Sequence, residues 1–252
     1  MINIDLSNKI ALVTGGTGEL GRAMVRTLAD CGADVAIHFH KASGKAAELQ
    51  QELRAKGRRA CMVQADITQP ADIQRMHGQI AAELGSPDII VNSAVGQYQP
   101  TKVLEQSTEA YRNQFESCVL HNVLMAQAFV PAMMAKRWGR VIAISTEVVM
   151  LNHPNQSAYA SGKRGMDGVL RVLAREIGEH NITVNQVAPG WCVSENRPAQ
   201  GRPDTYLNTV PLKRWGTDQD TANVVAFLAS DLAGFITGLF VPVCGGNVMP
   251  CI

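Results

Sequence analysis

The stretch Thr14-Gly15-Gly16-Thr17-Gly18-Glu19-Leu20-Gly21 decides how this chain folds. It lies between a short apolar run, Lys9–Thr14, and a segment of helical periodicity, Glu19–Cys31, in which Leu20, Met24, Leu28 and Ala29 share one side. Gly16, Gly18 and Gly21 satisfy G-x-G-x-x-G in a strand–turn–helix setting. A turn without Cβ atoms lets the backbone come close to a diphosphate, and the helix start offers unpaired N–H groups and a positive dipole end. A tight turn that binds nothing is the plain alternative; the context favours a dinucleotide. Glu19 is the discordant residue, because a carboxylate beside a diphosphate repels it unless it points outward from the first helical turn.

Working outward, strands and helices alternate. Asp34–Phe39, Arg59–Gln64 and Asp88–Asn92 read as strands; Ser43–Lys56, ended by Gly57, and Pro70–Leu84 read as helices. A long helical stretch, Glu109–Lys136, precedes a strand at Arg140–Ser145. A second long helix, Ala158–Glu179, leads into a strand at Thr183–Val187, and helix Asp218–Ser230 and strand Leu239–Val243 close the chain. The segment Cys192–Thr209 has two prolines and little periodicity, and reads as a loop with one short helix. Such alternation means right-handed crossovers and a doubly wound, parallel α/β sheet of about seven strands covered on both faces. No linker or repeat divides residues 1–252, so one domain is expected, with a substrate loop at about 192–214.

Composition agrees. The 252 residues are 46% hydrophobic, enough for a large core. With 23 basic and 22 acidic residues the formal net charge is +1, which points to no nucleic acid and no anionic membrane as partner. Six scattered cysteines (Cys31, Cys61, Cys118, Cys192, Cys244 and Cys251) form no C-x-x-C pair and suit a reducing cytoplasm. The start lacks a signal-peptide pattern. The most membrane-like stretch, Cys118–Ala135, is interrupted by His121, Asn122, Gln127 and Pro131, which argues for a core helix. His77, His121, His153 and His180 have no metal-ligand spacing, so no metal is expected. Met133 and Met134 read as packing residues.

Two further features carry chemistry. After the second strand comes His38-Phe39-His40-Lys41-Ala42-Ser43, without the acid that binds a ribose 2′-hydroxyl in NAD sites; His40, Lys41 and Ser43 suit a 2′-phosphate, so NADP is favoured over NAD. Tyr159 and Lys163, four apart at a helix start, share a face. A phenol that exchanges protons near neutral pH needs its ordinary pKa of about 10 lowered, which a neighbouring ammonium can do. Tyr98 and Lys102 have the same spacing, but Pro100 between them argues against a helix. Thr146, thirteen residues before Tyr159 and directly after Ser145 at a strand end, offers a hydroxyl to a carbonyl oxygen.

With these residues in place, the chain resembles the short-chain dehydrogenase/reductase superfamily, in its compact branch and over almost its whole length, similar to 3-oxoacyl-ACP reductase-like carbonyl reductases. Asp66 in Ala65-Asp66-Ile67 matches the acid at the adenine amino group, and Asn92-Ser93-Ala94 the strand end under the cofactor. Tyr159-x-x-x-Lys163 matches the catalytic pair, Thr146 the catalytic serine position, and Pro189-Gly190 with Ser194 the segment that touches the nicotinamide amide. Val210-Pro211-Leu212, Arg214, Gly216, Ile236-Thr237-Gly238 and Gly245-Gly246 match the end of the pattern. The resemblance implies an NADP(H)-dependent oxidoreductase acting on a small carbonyl or alcohol, a homotetramer or homodimer built on the two long helices, with Tyr159 as general acid/base.

The departures are specific. Cys118 stands at the family's catalytic asparagine; Asn122, one turn later, is the candidate to replace it, a polar residue in a helix interface being the alternative. The loop follows T-G-x-x-G-x-x-G instead of the compact branch's T-G-x-x-x-G-x-G, and Cys244 replaces an aspartate before Gly245-Gly246. Glu147, His153, Trp191 and Cys192 are expected to line the substrate pocket with the 195–209 loop. Glu147 there suits a polar or cationic substrate, pairing with a nearby base being the alternative. Cys118, Glu19 and Thr146 also support a different class: a catalytically degenerate dinucleotide-binding sensor or partner subunit.

Overall fold

The structure, a computed structural model, describes residues 3–250; the expectation for Cys251 lies outside them. The chain order is β1 (Ile10–Thr14), α1 (Glu19–Asp30), β2 (Asp34–Phe39), α2 (Ser43–Ala55), β3 (Ala60–Gln64), α3 (Pro70–Glu83) and β4 (Ile89–Asn92). Then follow α4 (Thr108–Gln114), a π-helical turn (Phe115–Leu120), α5 (His121–Lys136), β5 (Gly139–Ile144), α6 (Val148–Leu151), α7 (Ser157–Ile177) and β6 (Ile182–Pro189). The chain closes with β7 (Cys192–Val193), α8 (Thr205–Thr209), β8 (Gly216–Thr217), α9 (Asp218–Ala229) and β9 (Phe240–Val243).

Seven strands form one parallel sheet in the order β3-β2-β1-β4-β5-β6-β9. Side-chain alternation explains the apolar runs: Ala11 and Val13 face one core layer with α1, α2 and α9, while Leu12 faces the other with α3, α5 and α7. Each fully buried leucine or isoleucine in these layers contributes about 1.5–3 kcal/mol. Strand order reverses between β1 and β4, whose ends Thr14 and Asn92 are register partners. Such a reversal opens a crevice at the carboxyl ends of the strands.

Two differences from the sequence reading bear on the site. The long helix before β5 is not uniform: an extra residue per turn at Phe115–Leu120 separates α4 from α5. The region after β6 holds a two-residue parallel pair, β7 with β8, besides the short α8. The stretch Thr108–Lys136 is long and apolar enough to cross a bilayer, yet Met125, Phe129, Val130 and Met133 bury one side of it in the core. At the opposite end of the sheet, just before β5, the Trp138 ring lies between the Lys9 ammonium, 3.7 Å from its centroid, and the Arg140 guanidinium at 4.3 Å.

Candidate active site

The turn after β1 is built by close approach. Gly15 has φ +65°, and a Cβ on it would come within 3.0 Å of Ala94 Cα; a Cβ on Gly21 would collide with the Gly15 carbonyl oxygen. Thr14 Oγ1 accepts from the N–H groups of Ser93 (2.9 Å) and Ala94 (3.1 Å), locking the ends of β1 and β4 together. Buried His38 holds the turn from the other side. Its Nδ1 accepts from Gly15 N–H at 2.9 Å, its main-chain oxygen accepts from Gly16 N–H at 2.8 Å, and its Nε2 lies 3.0 Å from the Ala65 oxygen. Those bonds need a neutral ring, and burial pushes its pKa down to about 4.

These residues fit a dinucleotide. The N–H groups of Glu19 and Leu20, the first two of α1, have no acceptor within the helix. Asn92 Oδ1 is buried without a partner. Asp66 spends Oδ1 on the Thr68 N–H (2.9 Å) and hydroxyl (2.8 Å), which sets the carboxylate just beyond β3. Ile67 is buried beside it. His40, Lys41 and Ser43 are exposed beyond β2, in a stretch without a carboxylate. Thr17 and Gly18 complete the turn.

Catalytic candidates gather at the ends of β5 and β6. Ser145 N–H donates to the Val187 oxygen (2.7 Å) and Glu147 N–H to the Pro189 oxygen (3.1 Å), so Thr146 between them is fixed by main chain. Its Oγ1 accepts from Val148 N–H at 3.3 Å. Lys163 is 3% exposed and donates from Nζ to the Ile144 oxygen at 2.6 Å. That nitrogen lies 6.0 Å from the Tyr159 ring centroid, so the two side chains share one face of α7. The half-buried Tyr159 ring stacks on Tyr98 at 4.5 Å and 9°, and the Tyr98 hydroxyl donates to Gln156 Oε1, 3.1 Å away, at the start of α7.

The electrostatics differ from the sequence expectation. Burial raises the Tyr159 pKa above the ordinary phenol value, and the nearby Cys118 and Tyr98 add to this; a hydrogen bond from the Thr146 side chain opposes it. Burial also lowers Lys163. The ammonium spends its contact on Ile144 instead of the phenol, so burial wins and Tyr159 stays protonated at neutral pH.

Cys118 is buried in the π-helical turn, 3.9 Å from Gln114 Oε1, with its thiol pushed up by burial. Asn122 does not stand free to replace the asparagine. Its Oδ1 accepts from Asn92 (2.8 Å) and its Nδ2 donates to the Cys118 oxygen (2.7 Å), tying β4 to the π turn.

The expected pocket residues part company. Glu147 is buried and satisfied: Tyr206 donates to Oε1 at 3.0 Å and Asn247 to Oε2 at 2.9 Å, so the carboxylate braces α8 and the C-terminal segment. Burial raises its pKa against those two bonds. Trp191, 45% exposed, stacks on Tyr206 at 5.2 Å, and Tyr206 on Trp215 at 5.1 Å. Trp191 N–H donates to the Tyr206 hydroxyl at 2.9 Å, and a Cβ on Gly190 would strike that hydroxyl. His153 is exposed. Cys192 turns away, its sulfur 3.4 Å from the Gly190 oxygen and 3.9 Å from the Thr221 hydroxyl on α9, and burial pushes its thiol up to about 11. Among the described residues no cluster of His, Cys, Asp or Glu is arranged for a metal ion.

Glu19 and Ser194, expected at the cofactor, meet each other: Ser194 Oγ donates to Glu19 Oε2 at 2.6 Å. Sequence reading missed His38, Tyr98, Tyr206, Trp215 and Asn247. The only available signal was aromatic clustering, Trp191, Tyr206 and Trp215 lying in and around the aperiodic Cys192–Thr209 segment of a chain with 5% aromatics.

With a parallel sheet reversing at β1 and β4, a glycine turn over that crevice and Tyr159, Lys163 and Thr146 beside it, the chain belongs to the short-chain dehydrogenase/reductase family of NAD(P)-dependent oxidoreductases, acting on carbonyl or alcohol groups. The profile described as Enoyl-(Acyl carrier protein) reductase matches residues 17–247. Within the family the chain is of the 3-oxoacyl-[acyl-carrier-protein] reductase type. It is 36% identical over 248 residues to that reductase of Escherichia coli K12, covering 98% of this chain and 100% of the relative. It is 34% identical over 244 residues to the one from Staphylococcus epidermidis, covering 96% and 100%. Among solved structures, a blue fluorescent protein from a metagenomic library, in complex with NADPH, superposes with TM-score 0.89 at 33% identity, covering 97% of this chain and 100% of that one. A Serratia marcescens short-chain dehydrogenase/reductase double mutant gives TM-score 0.89 at 28% identity, covering 96% and 98%.

Proposed function

We propose that the chain is an NADP(H)-dependent carbonyl reductase in which Tyr159 is the general acid. The observation that carries this reading is Tyr159 and Lys163 on one face of α7, with Lys163 anchored to the end of β5. The relatives' name and the NADPH of one structural neighbour support the cofactor and the ketone-to-alcohol direction. Exposed His40, Lys41 and Ser43 would hold the 2′-phosphate, and Asp66, Asn92, Ser93, Ala94 and the 15–21 turn the rest of the nucleotide. When bound, the dinucleotide supplies the hydride. The protein's part is protonic: a phenol held neutral by burial delivers its proton to the carbonyl oxygen, Thr146 orients that oxygen, and Lys163, on the same helix face, offsets the negative charge that the phenolate acquires.

The substrate enters beside Trp191, Tyr206 and Trp215; a 3-oxoacyl thioester is the first compound to try. Assembly belongs to the same reading, α5 and α7 sharing an apolar groove lined by Val123, Ala126, Val169 and Val172 that suits a second copy. So does a cytoplasmic setting, the five described cysteines being free. A dinucleotide-binding protein without turnover is the second reading, favoured by Cys118 at the asparagine position and Glu19 at the turn.

Tyr159→Phe tests the first reading. Turnover should fall at least about a thousandfold, on the scale of losing a general acid, while the NADPH Kd moves less than about threefold. Unchanged turnover sinks it.

A further inference from the structure

The segment Ser194–Arg197 lies across the start of α1 as a strap. Glu19 Oε2 accepts from the Ser194 hydroxyl at 2.6 Å, and Glu19 Oε1 from the Asn196 amide at 3.2 Å. Charges cross the other way: Glu195 pairs with Arg26 at 2.6 Å and Arg22 at 3.4 Å, while Arg22 also pairs with Glu19 at 2.9 Å. Glu195, Asn196 and Arg197 of the strap are exposed. Behind it is a cavity of about 550 Å³ lined by Ala23, Arg26, Pro198, Thr217 and Gln219. Polar bonds to α1 therefore decide whether it lies closed.

These contacts fall at the helix end that offers its N–H groups to a diphosphate. A helix start prefers one anion nearby, and here a carboxylate of the protein already fills that preference. The serine hydroxyl has a single proton, and it is committed to a charged acceptor at short range, the stronger kind of hydrogen bond. An arriving diphosphate thus meets a fixed negative charge and a strap bonded to it.

We propose that Glu19 is an affinity-determining residue for the dinucleotide: it clasps Ser194 and Asn196 shut over the glycine turn and competes with the diphosphate, so that binding must open the clasp. The inference rests on the reading that this turn holds the dinucleotide. Arg22 keeps Glu19 ionised in both states, and the helix dipole favours that form; burial resists ionisation, but the bonds from Ser194 and Asn196 outweigh it and hold the carboxyl below its ordinary pKa.

Three proteins test this: the full chain, Glu19→Ala, and Asn196→Ala, whose change lies on an exposed loop and spares the fold. NADPH association is followed by stopped-flow nicotinamide fluorescence without substrate, and strap opening by trypsin cleavage after Arg197 and Arg202 in nucleotide-free protein. Glu19→Ala should associate about tenfold faster and bind about tenfold tighter, the size of one charge-assisted bond, and Asn196→Ala should move both the same way by a smaller factor. Trypsin should cleave both variants several-fold faster. Unchanged association and affinity, or weaker NADPH binding, in Glu19→Ala overturns the proposal, even where cleavage accelerates, and leaves the dinucleotide reading intact. Absence of NADPH binding in all three proteins overturns that reading, and the proposal with it.

Discussion

The floor of the crevice and the strap above it are held by different means. Around Thr146 the backbone is pinned by sheet bonds, Ser145 to Val187 and Glu147 to Pro189, and Lys163 finds its acceptor in the main chain at Ile144. Around Ser194 the ties to α1 are side chain to side chain, Glu19 to Ser194 and Asn196, Arg26 to Glu195. Main-chain bonds inside a covered sheet open only with the fold, whereas exposed ion pairs and single hydroxyl bonds are worth about 1 kcal/mol each and exchange readily. Chemistry that needs fixed atoms sits on the first kind of support, and a segment that must move sits on the second.

The sharpest way to break this contrast is Gly21→Ala. Its new methyl group meets the Gly15 carbonyl in the rigid layer, so stability should drop by about 3 kcal/mol and NADPH binding should be lost with it, read by thermal unfolding and titration. A variant as stable as the parent would show the turn to be pliable after all.

A pH experiment comes next. His38 has a folded pKa of about 4, depressed from 6.5, so the unfolded chain takes up the proton first. Its contribution is complete above pH 6.5 and declines as pH falls towards 4, where it levels off. His121, buried and lowered to about 3, adds a slope over the same range. His38→Asn should make the acid limb of denaturant-measured stability shallower by at most about 3 kcal/mol between pH 6.5 and 4. An unaltered limb would mean the ring is not held neutral against Gly15.

The smallest effect is expected at the side-chain level. Tyr206→Phe removes the hydroxyl that serves both Glu147 and the Trp191 N–H, leaving a buried carboxylate oxygen short of a donor. A loss of about 1–2 kcal/mol, or roughly 3–6 °C in Tm for a domain of this size, should accompany a severalfold rise in KM with kcat little changed. A fall in kcat with constant KM would move Tyr206 from the mouth to the floor.

How far the sequence was legible follows the same division. Apolar runs bounded by glycines give every strand of the main sheet to within a residue or two, because each run answers to the alternation of its own two faces. The glycine turn and the Tyr159–Lys163 spacing are local patterns too. What stayed hidden depends on partners far away in the chain. Glu19 meets Ser194 across 175 residues and Glu147 meets Asn247 across 100, and no local pattern records such pairings. The π-helical turn at Phe115–Leu120 left no mark either, since one added residue in a long apolar helix hardly changes its periodicity. The direction of the Tyr159 shift was misread because spacing reports a neighbour and says nothing of burial.

The placement of the tryptophans gives the molecule an optical gauge. Two of its three indoles, Trp191 and Trp215, flank Tyr206 beside the strap, while Trp138 is wedged between two cations before β5. A change in intrinsic emission when the gate swings will therefore come from one end of the molecule, against a constant background from the other, and opening becomes visible in unlabelled protein.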